Sequence, residues 1–266
     1  MNVTTATTTG RTAIERTGID GVVVKPTETA PLAATDTPFD LVCVDYEGRE
    51  ALPDAETLAA LADRTTLRVT TPVRADGFDP LGDDGLLDRL PADARRVLVA
   101  GHGAYLDDAE QERAVAPRLG AAVETAADPW VGTESVERLA LAAGGVQYEL
   151  LSRRTESALR GLRAAGFEGD VAVYAPTVPT DDEDAILDAV GAYAARRGPV
   201  RRALPDDAAT DASASGRARE VLTQAVRDYA LVGDHETVGE RVSTLKEAGA
   251  DLVVGYPAAG IETFTE

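Results

Sequence analysis

Eight short apolar runs, rich in β-branched residues and separated for the most part by helical patterns, constrain this chain more than any other feature. They are Gly21 to Lys25 (GVVVK), Leu41 to Asp45 (LVCVD), Leu67 to Thr70 (LRVT), Arg96 to Ala100 (RVLVA), Ala121 to Thr125 (AAVET), Gly145 to Leu150 (GVQYEL), Val171 to Tyr174 (VAVY) and Asp251 to Gly255 (DLVVG). Runs this short and this apolar read as strands buried on both faces, the kind found in parallel sheets. Between them, Ala55 to Ala62, Asp108 to Leu119, Thr133 to Ala143, Thr155 to Ala165, Asp181 to Arg197 and Arg217 to Tyr229 carry apolar residues three and four apart, the spacing of amphipathic helices. Eight such strands alternating with helices predict a single (β/α)8 TIM barrel, and 266 residues suit one, the usual length being about 250. The rival, an open doubly wound sheet, lacks its phosphate fingerprint: no strand-to-helix turn reads GxGxxG or GxxxxGKS/T.

Two segments lie outside the alternation. Pro26 to Phe39 is rich in Pro, Thr and Ala and reads as a loop or a very short helix, and residues 1–12 show no periodicity. Residues 202–216 (RALPDDAATDASASG) have the composition of a flexible loop. No second domain is expected, because neither half would close a core on its own.

Charge and composition exclude several functions. With 46 acidic against 26 basic residues the net charge is -20, which argues against a nucleic-acid partner. Only Lys25 and Lys246 are lysines; this acidic, Lys-poor makeup resembles proteins of extreme halophiles, in which salt screens self-repulsion. No apolar stretch approaches the roughly 18 residues of a membrane span and no export signal is visible, so a soluble, cytoplasmic protein is expected. Cys43, alone in the run LVCV, reads as a buried inert thiol. Two distant histidines, one cysteine and no HExxH, CxxC or calcium-loop pattern give no metal site. The acidic run Thr180 to Asp184 (TDDED) is the first turn of the next helix, where negative charge is favoured.

Barrels place their chemistry at the C-terminal ends of the strands. The polar residues there are Lys25; Asp45, Tyr46 and Glu47; Thr70, Thr71 and Arg74; His102; Glu124, Asp128 and Trp130; Glu149 and Ser152; Tyr174 and Thr177; and Tyr256. Lys25 is positioned to hold an anionic substrate or act as a base, or else to snorkel and pair with Asp45 or Glu47. His102, between glycines, is a candidate general acid or base near neutral pH, or a turn residue capping the next helix. Glu47 and Glu149 each bring a carboxylate to a strand end, but alternation puts Tyr148 and Glu149 on opposite faces. His102, Lys25 and Glu47 are the candidates for catalysis.

The closing segment, Val226 to Pro257 (VRDYALVGDHETVGERVSTLKEAGADLVVGYP), is the most legible. Asp234 stands at an N-cap, Val238, Val242 and Leu245 recur at helical spacing, and Gly249 stops the helix before a buried strand. The pattern ALVG, an acidic residue, xExVxER, then LxxAGAD and an apolar strand resembles the last helix and strand of luciferase-like oxidoreductases, and LRVTTPV at 67–73 resembles their strand three. That resemblance implies a luciferase-like barrel with F420 or FMN and a small-molecule substrate stacked at the mouth, hydride transfer between them, and no metal. It puts the ring near Thr70, Thr71 and His102, adds Tyr174 and Tyr256 as cofactor-binding candidates, and puts the phosphate near the loops after strands seven and eight. It also admits a homodimer with the closing helix at its interface. The alternatives are a barrel without cofactor acting as a binding protein or as an acid/base enzyme, including an aldolase-type site with Lys25 as a Schiff-base lysine.

Overall fold

The computed structural model describes residues 11–73, 78, 85–100, 112, 114–132 and 137–265. Eight strands close a parallel barrel: β1 (Gly21–Val24), β2 (Leu41–Val44), β3 (Thr66–Pro72), β4 (Arg95–Val99), β5 (Trp130–Gly132), β6 (Val146–Leu150), β7 (Val171–Val178) and, last in the chain, β9 (Leu252–Pro257). Each of the first seven pairs with the next, β7 pairs with β9, and β9 returns to β1 with Gly21 opposite Val254. A two-residue strand, β8 (Leu231–Val232), lies only along the extended end of β7.

Alternation along the strands divides the core. Val22, Val24, Val42, Val44, Val69, Val171, Val173 and Val253 belong to the layer between barrel and helices. Val23, Cys43, Val97, Trp130, Tyr148, Ala172, Tyr174 and Val254 fill the barrel. Burial pushes the Cys43 thiol up to about 12, leaving it unreactive. Beneath the aromatic layer, the buried Arg68 side chain crosses to Asp128, with Nη2 2.6 Å from Oδ2, and lies 4.2 Å above the Trp130 ring.

The helices form where local signals demand. Asp54 caps α2 (Ala55–Ala62) by accepting from the Thr57 N–H at 2.7 Å. Between β4 and β5 lies α3 (Val115–Thr125); α4 (Glu137–Ala143) and α5 (Thr155–Ala164) flank β6. In the closing unit Asp234 accepts from the Thr237 N–H at 2.8 Å, α9 (His235–Ala248) follows, and Gly249 at φ 122° ends it. Asp20 seals the barrel seam: its carboxylate accepts from the Val253 N–H at 2.7 Å and from Lys246 Nζ at 2.8 Å. A short α1 (Ala13–Arg16) with a Thr12/Glu15 capping box packs near α9.

Strand five is a correction. Ala121 to Thr125 is the C-terminal half of α3, in which Leu119 and Ala122 sit three apart on the buried face, and the strand is Trp130–Gly132. Three residues are too few to show alternation, so AAVET carried the stronger strand signal. The candidates attached to that reading move with it: Glu124 lies on α3, and Asp128 and Trp130 sit at the start of β5, at the barrel end opposite the mouth.

The excursion between β7 and β8 also differs from a single outer helix. It holds α6 (Glu183–Ala195), α7 (Gly198–Ala203) and α8 (Gly216–Tyr229), which share a hydrophobic cluster of their own built on Leu187, Val190, Val200, Leu222 and Val226. Residues 204–215 run irregularly back along α6. The Ala212 N–H donates to Asp188 Oδ1 at 2.8 Å, and the Thr210 carbonyl lies so close to Gly191 that a Cβ there would meet it at 2.3 Å. The C-terminal end of α6 hangs over the barrel mouth.

Candidate active site

A cavity of about 400 Å³ opens at the C-terminal ends of the strands. Its barrel wall is Lys25, Asp45, Thr70, Val99, Gly132, Tyr148, Leu150 and Tyr174, and its lid wall is Tyr193, Arg196 and Arg197 from the end of α6. The barrel residues continue the inward positions of their strands: Lys25 is two beyond Val23, Asp45 two beyond Cys43, and Tyr174 two beyond Ala172. Register alone therefore aims them into the mouth.

Asp45 sits at the junction of the first two strands. The Thr70 hydroxyl donates to its Oδ1 at 3.1 Å, and among the described residues nothing donates to Oδ2. Burial raises its carboxyl from 3.8 to about 6, against the opposing pull of the Lys25 charge and the Thr70 hydrogen bond. Lys25 Nζ lies 3.5 Å from Glu28 Oε1 and 4.0 Å from the Tyr256 ring centroid. The Tyr256 hydroxyl donates to the other Glu28 oxygen. Tyr256 stands parallel to Tyr174, with 6.4 Å between centroids and 9° between planes, and Tyr174 meets Tyr148 edge-on at 6.2 Å. Burial, together with the Asp45 charge, pushes the Tyr174 phenol well above its usual range, so it stays protonated.

The sequence-derived candidates separate clearly. Lys25, Thr70 and Tyr174 line the cavity, and Tyr256 supports it from behind Lys25. Thr71 faces the opposite side of β3, where its hydroxyl accepts from Arg96 Nε at 3.1 Å. Glu47 braces two loops, accepting from the Thr27 N–H at 2.9 Å and the Thr27 hydroxyl at 2.6 Å. Glu149 faces outward beside Thr155, whose hydroxyl donates to it at 3.3 Å, and burial lifts its carboxyl to about 7. Tyr46 is buried edge-on against Phe78 at 5.2 Å. His102 and Arg74 lie outside the described residues.

Sequence reasoning missed Tyr193, Arg196 and Arg197. The signal was present in the length of the stretch between VAVY and the closing unit, too long for one crossover helix, but nothing in the residues says that a helix end folds over the mouth. The loops after β7 and β9 offer nothing to a phosphate. The first carries Asp181, Asp182, Glu183 and Asp184, with Asp182 already capping α6; the second, Ala258 to Gly260, has no cation.

Residues 14–264 match the profile of a family described as being of unknown function, DUF7388. The chain belongs to that family. No curated protein matches this DUF7388 chain. Among solved structures it is similar to an F420-dependent secondary alcohol dehydrogenase in complex with an F420-acetone adduct, at 13% identity and a TM-score of 0.60, over 90% of this chain and 93% of that one. It is also similar to the monooxygenase RslO1 from Streptomyces bottropensis, at 16% identity and a TM-score of 0.52, over 93% of this chain and 95% of that one. At these identities the likeness establishes the fold alone: the chain is a (β/α)8 barrel of the kind found in those two structures. Among its described residues no helix is long and apolar enough to cross a membrane, and no group of His, Cys, Asp or Glu could hold a metal.

Proposed function

We propose that this chain is an oxidoreductase that holds the ring of F420 or a flavin at the barrel mouth and moves hydride between it and a small-molecule substrate. The observation that carries the reading is the mouth cavity, walled by Tyr148, Tyr174, Val99 and Leu150 and floored by the poised carboxyl of Asp45. Aromatic and aliphatic walls with a few convergent polar groups suit a flat ring. A volume of about 400 Å³ stands near the lower end of ligand pockets, roughly 300–1,000 Å³, so it encloses a ring with a small substrate and leaves any tail to run outward. The fit is to the ring, and the acidic loop after β7 does not fit a phosphate. When bound, F420 or flavin supplies two-electron chemistry that no side chain supplies.

The chain's own residues do the rest. Asp45, near 6, exists in both protonation states around neutral pH, and its open Oδ2 is the atom placed to exchange a proton with a substrate hydroxyl or carbonyl oxygen. Thr70 fixes the rotation of that carboxylate through Oδ1, Lys25 holds down its proton affinity, and the tyrosines exclude water from above the floor. The same Asp45, Lys25 and Thr70 set can work without a cofactor, which sustains a second reading as an acid/base enzyme. Titration with F420, FMN and FAD in molar KCl separates them: binding below tens of micromolar with a perturbed visible spectrum is expected. No binding of any of the three overturns the oxidoreductase reading and leaves the acid/base one.

A further inference from the structure

Lys25 and Asp45 are neighbours by register. Val24 of β1 lies opposite Val44 of β2, which puts Lys25 beside Asp45 one step further on, and the Asp45 N–H donates to the Val24 carbonyl at 2.9 Å. Both continue inward positions, so both side chains enter the mouth from adjacent strands roughly 4.8 Å apart. An ammonium and a carboxylate placed like this would ordinarily close on each other. Among the described residues, however, the ion pair that Lys25 makes is with Glu28, at 3.5 Å from Oε1, while its Nζ lies 4.0 Å from the Tyr256 ring centroid. The Tyr256 hydroxyl closes the triangle by donating to the other Glu28 oxygen. Each corner has its own support. The turn that carries Glu28 folds back on β1, with the Glu28 and Thr29 N–H groups both donating to the Lys25 carbonyl, at 3.0 and 2.9 Å, and Thr27 is tied to Glu47. Tyr256, two positions beyond the inward Val254, stands parallel to Tyr174. Burial, and after it the Glu28 contact, push the Tyr256 phenol above its usual range, so the hydroxyl stays a donor.

We propose that Glu28 and Tyr256 are positioning residues of the mouth: they hold the Lys25 ammonium on the β9 side and so keep an internal ion pair from closing over Asp45. This rests on Asp45 being the working acid or base. A lysine released at this register swings onto the carboxylate and covers the oxygen that a substrate hydroxyl or carbonyl needs. It also holds that carboxylate ionised, as an opposite charge within about 4–6 Å does. Held at Glu28, the same lysine moderates Asp45 without occupying it.

NMR of the whole chain tests this. With only two lysines in the sequence, 13C-lysine labelling gives two ε-methylene signals, and Lys25→Met identifies one of them. Lys25, above a tyrosine ring, should resonate upfield of Lys246, which sits on Asp20 and the Gly18 carbonyl. The Asp45 carboxyl is titrated by 13C NMR in constant molar KCl and assigned with D45N. It is faced by Lys25 and Glu28, by Glu47, by Tyr174 and, across the cavity, by Arg196 and Arg197. All of these and the aromatic ring remain in Tyr256→Phe, so a difference from wild type isolates the hydroxyl. In that variant the Lys25 signal moves towards that of an unshielded lysine and the Asp45 midpoint falls by about 1 unit or more. Glu28→Gln, at a half-exposed side chain, acts in the same direction and further, since a repelling charge leaves with the partner; the inference therefore does not hang on the tyrosine variant folding. In the Lys25→Met background Tyr256→Phe shifts nothing, because its effect passes through the lysine. A Lys25 signal unmoved in both variants, an Asp45 midpoint that stays or rises in Y256F, or a Y256F effect that persists without the lysine overturns the proposal. None of these measurements needs a cofactor, so they stand or fall separately from the titrations with F420, FMN and FAD.

Discussion

Replacing Asp45 by Asn measures directly how strongly the fold works against an ionised group at the mouth. In the unfolded chain this carboxyl titrates near 3.8, and in the folded one near 6. Above pH 6 both states carry the charge, but the folded one carries it where a neutral acid is preferred; below about 3.8 both are protonated and the cost is gone. The stability lost as pH rises through that window corresponds to about 3 kcal/mol. Asn keeps the shape and an oxygen for the Thr70 hydroxyl, so D45N should be more stable than wild type by about 2–3 kcal/mol at pH 7.5 and nearly equal to it at pH 4. Urea unfolding of both proteins at pH 4, 5, 6 and 7.5 in constant molar KCl reads the difference directly, and the other carboxylates cancel because both proteins carry them. A difference that stays flat with pH, or a variant weaker than wild type at pH 7.5, would refute the account of a strained carboxylate. The expected result also bears on function, since a charge kept at a cost to stability marks a working group more often than a structural one.

Removing the neighbouring charge should act in the opposite sense: Lys25→Met takes away an influence that holds Asp45 down, so the pH midpoint of any activity or ligand binding that depends on Asp45 should move upward, by NMR titration or pH profile. At the barrel seam, Asp20→Ala strips acceptors from the Val253 N–H and Lys246 and should cost about 2–3 kcal/mol in urea unfolding; a loss under 0.5 kcal/mol would show the seam to be held elsewhere. Gly191→Ala places a Cβ 2.3 Å from the Thr210 carbonyl, which should cost about 1–3 kcal/mol and speed proteolysis within residues 204–215. Because the chain carries 46 acidic residues against 26 basic, its melting temperature should climb as KCl rises from tens of millimolar to molar, and a flat response in thermal melts would count against self-repulsion as a destabilising force.

The barrel was legible because its signals are local. GVVV, LVCV and VAVY are each a complete statement of a strand buried on both faces, and the Asp234 cap with the Gly249 stop delimits α9 without reference to anything distant. Strand five was illegible for the converse reason: WVG is too short to carry a period, and its place in the barrel is set by pairing, Val97 with Trp130 and Trp130 with Val146, which no sequence window contains. The inward aim of Lys25, Thr70 and Tyr174 followed once strand ends were placed, whereas Thr71 and Glu47 needed the register to be known to within one residue. The arginines of the lid were out of reach altogether, because their contribution depends on how α6 lies over the mouth.

That placement brings cations to the mouth of a barrel that is short of positive charge. Among the described residues that line the mouth, the strand ends supply tyrosines, a threonine, one lysine and one aspartate, and the lysine is already engaged by Glu28. Extending β7 to Val178 carries the chain past the mouth before it turns, so that the three helices of the excursion pack on one another rather than on the outer ring. The C-terminal end of α6 then faces the cavity with its negative dipole end, and Arg196 and Arg197 stand at that end, where cations are favoured, and line the lid wall. The acidic turn at the start of the same helix is kept away from the cavity: Asp182 is spent on capping, and Glu183 and Asp184 are both within 2.6 Å of Arg219 Nη2. One helix therefore separates the charges of the excursion, with the carboxylates of its first turn tied to Arg219 and to the cap and two arginines at its far end lining the mouth.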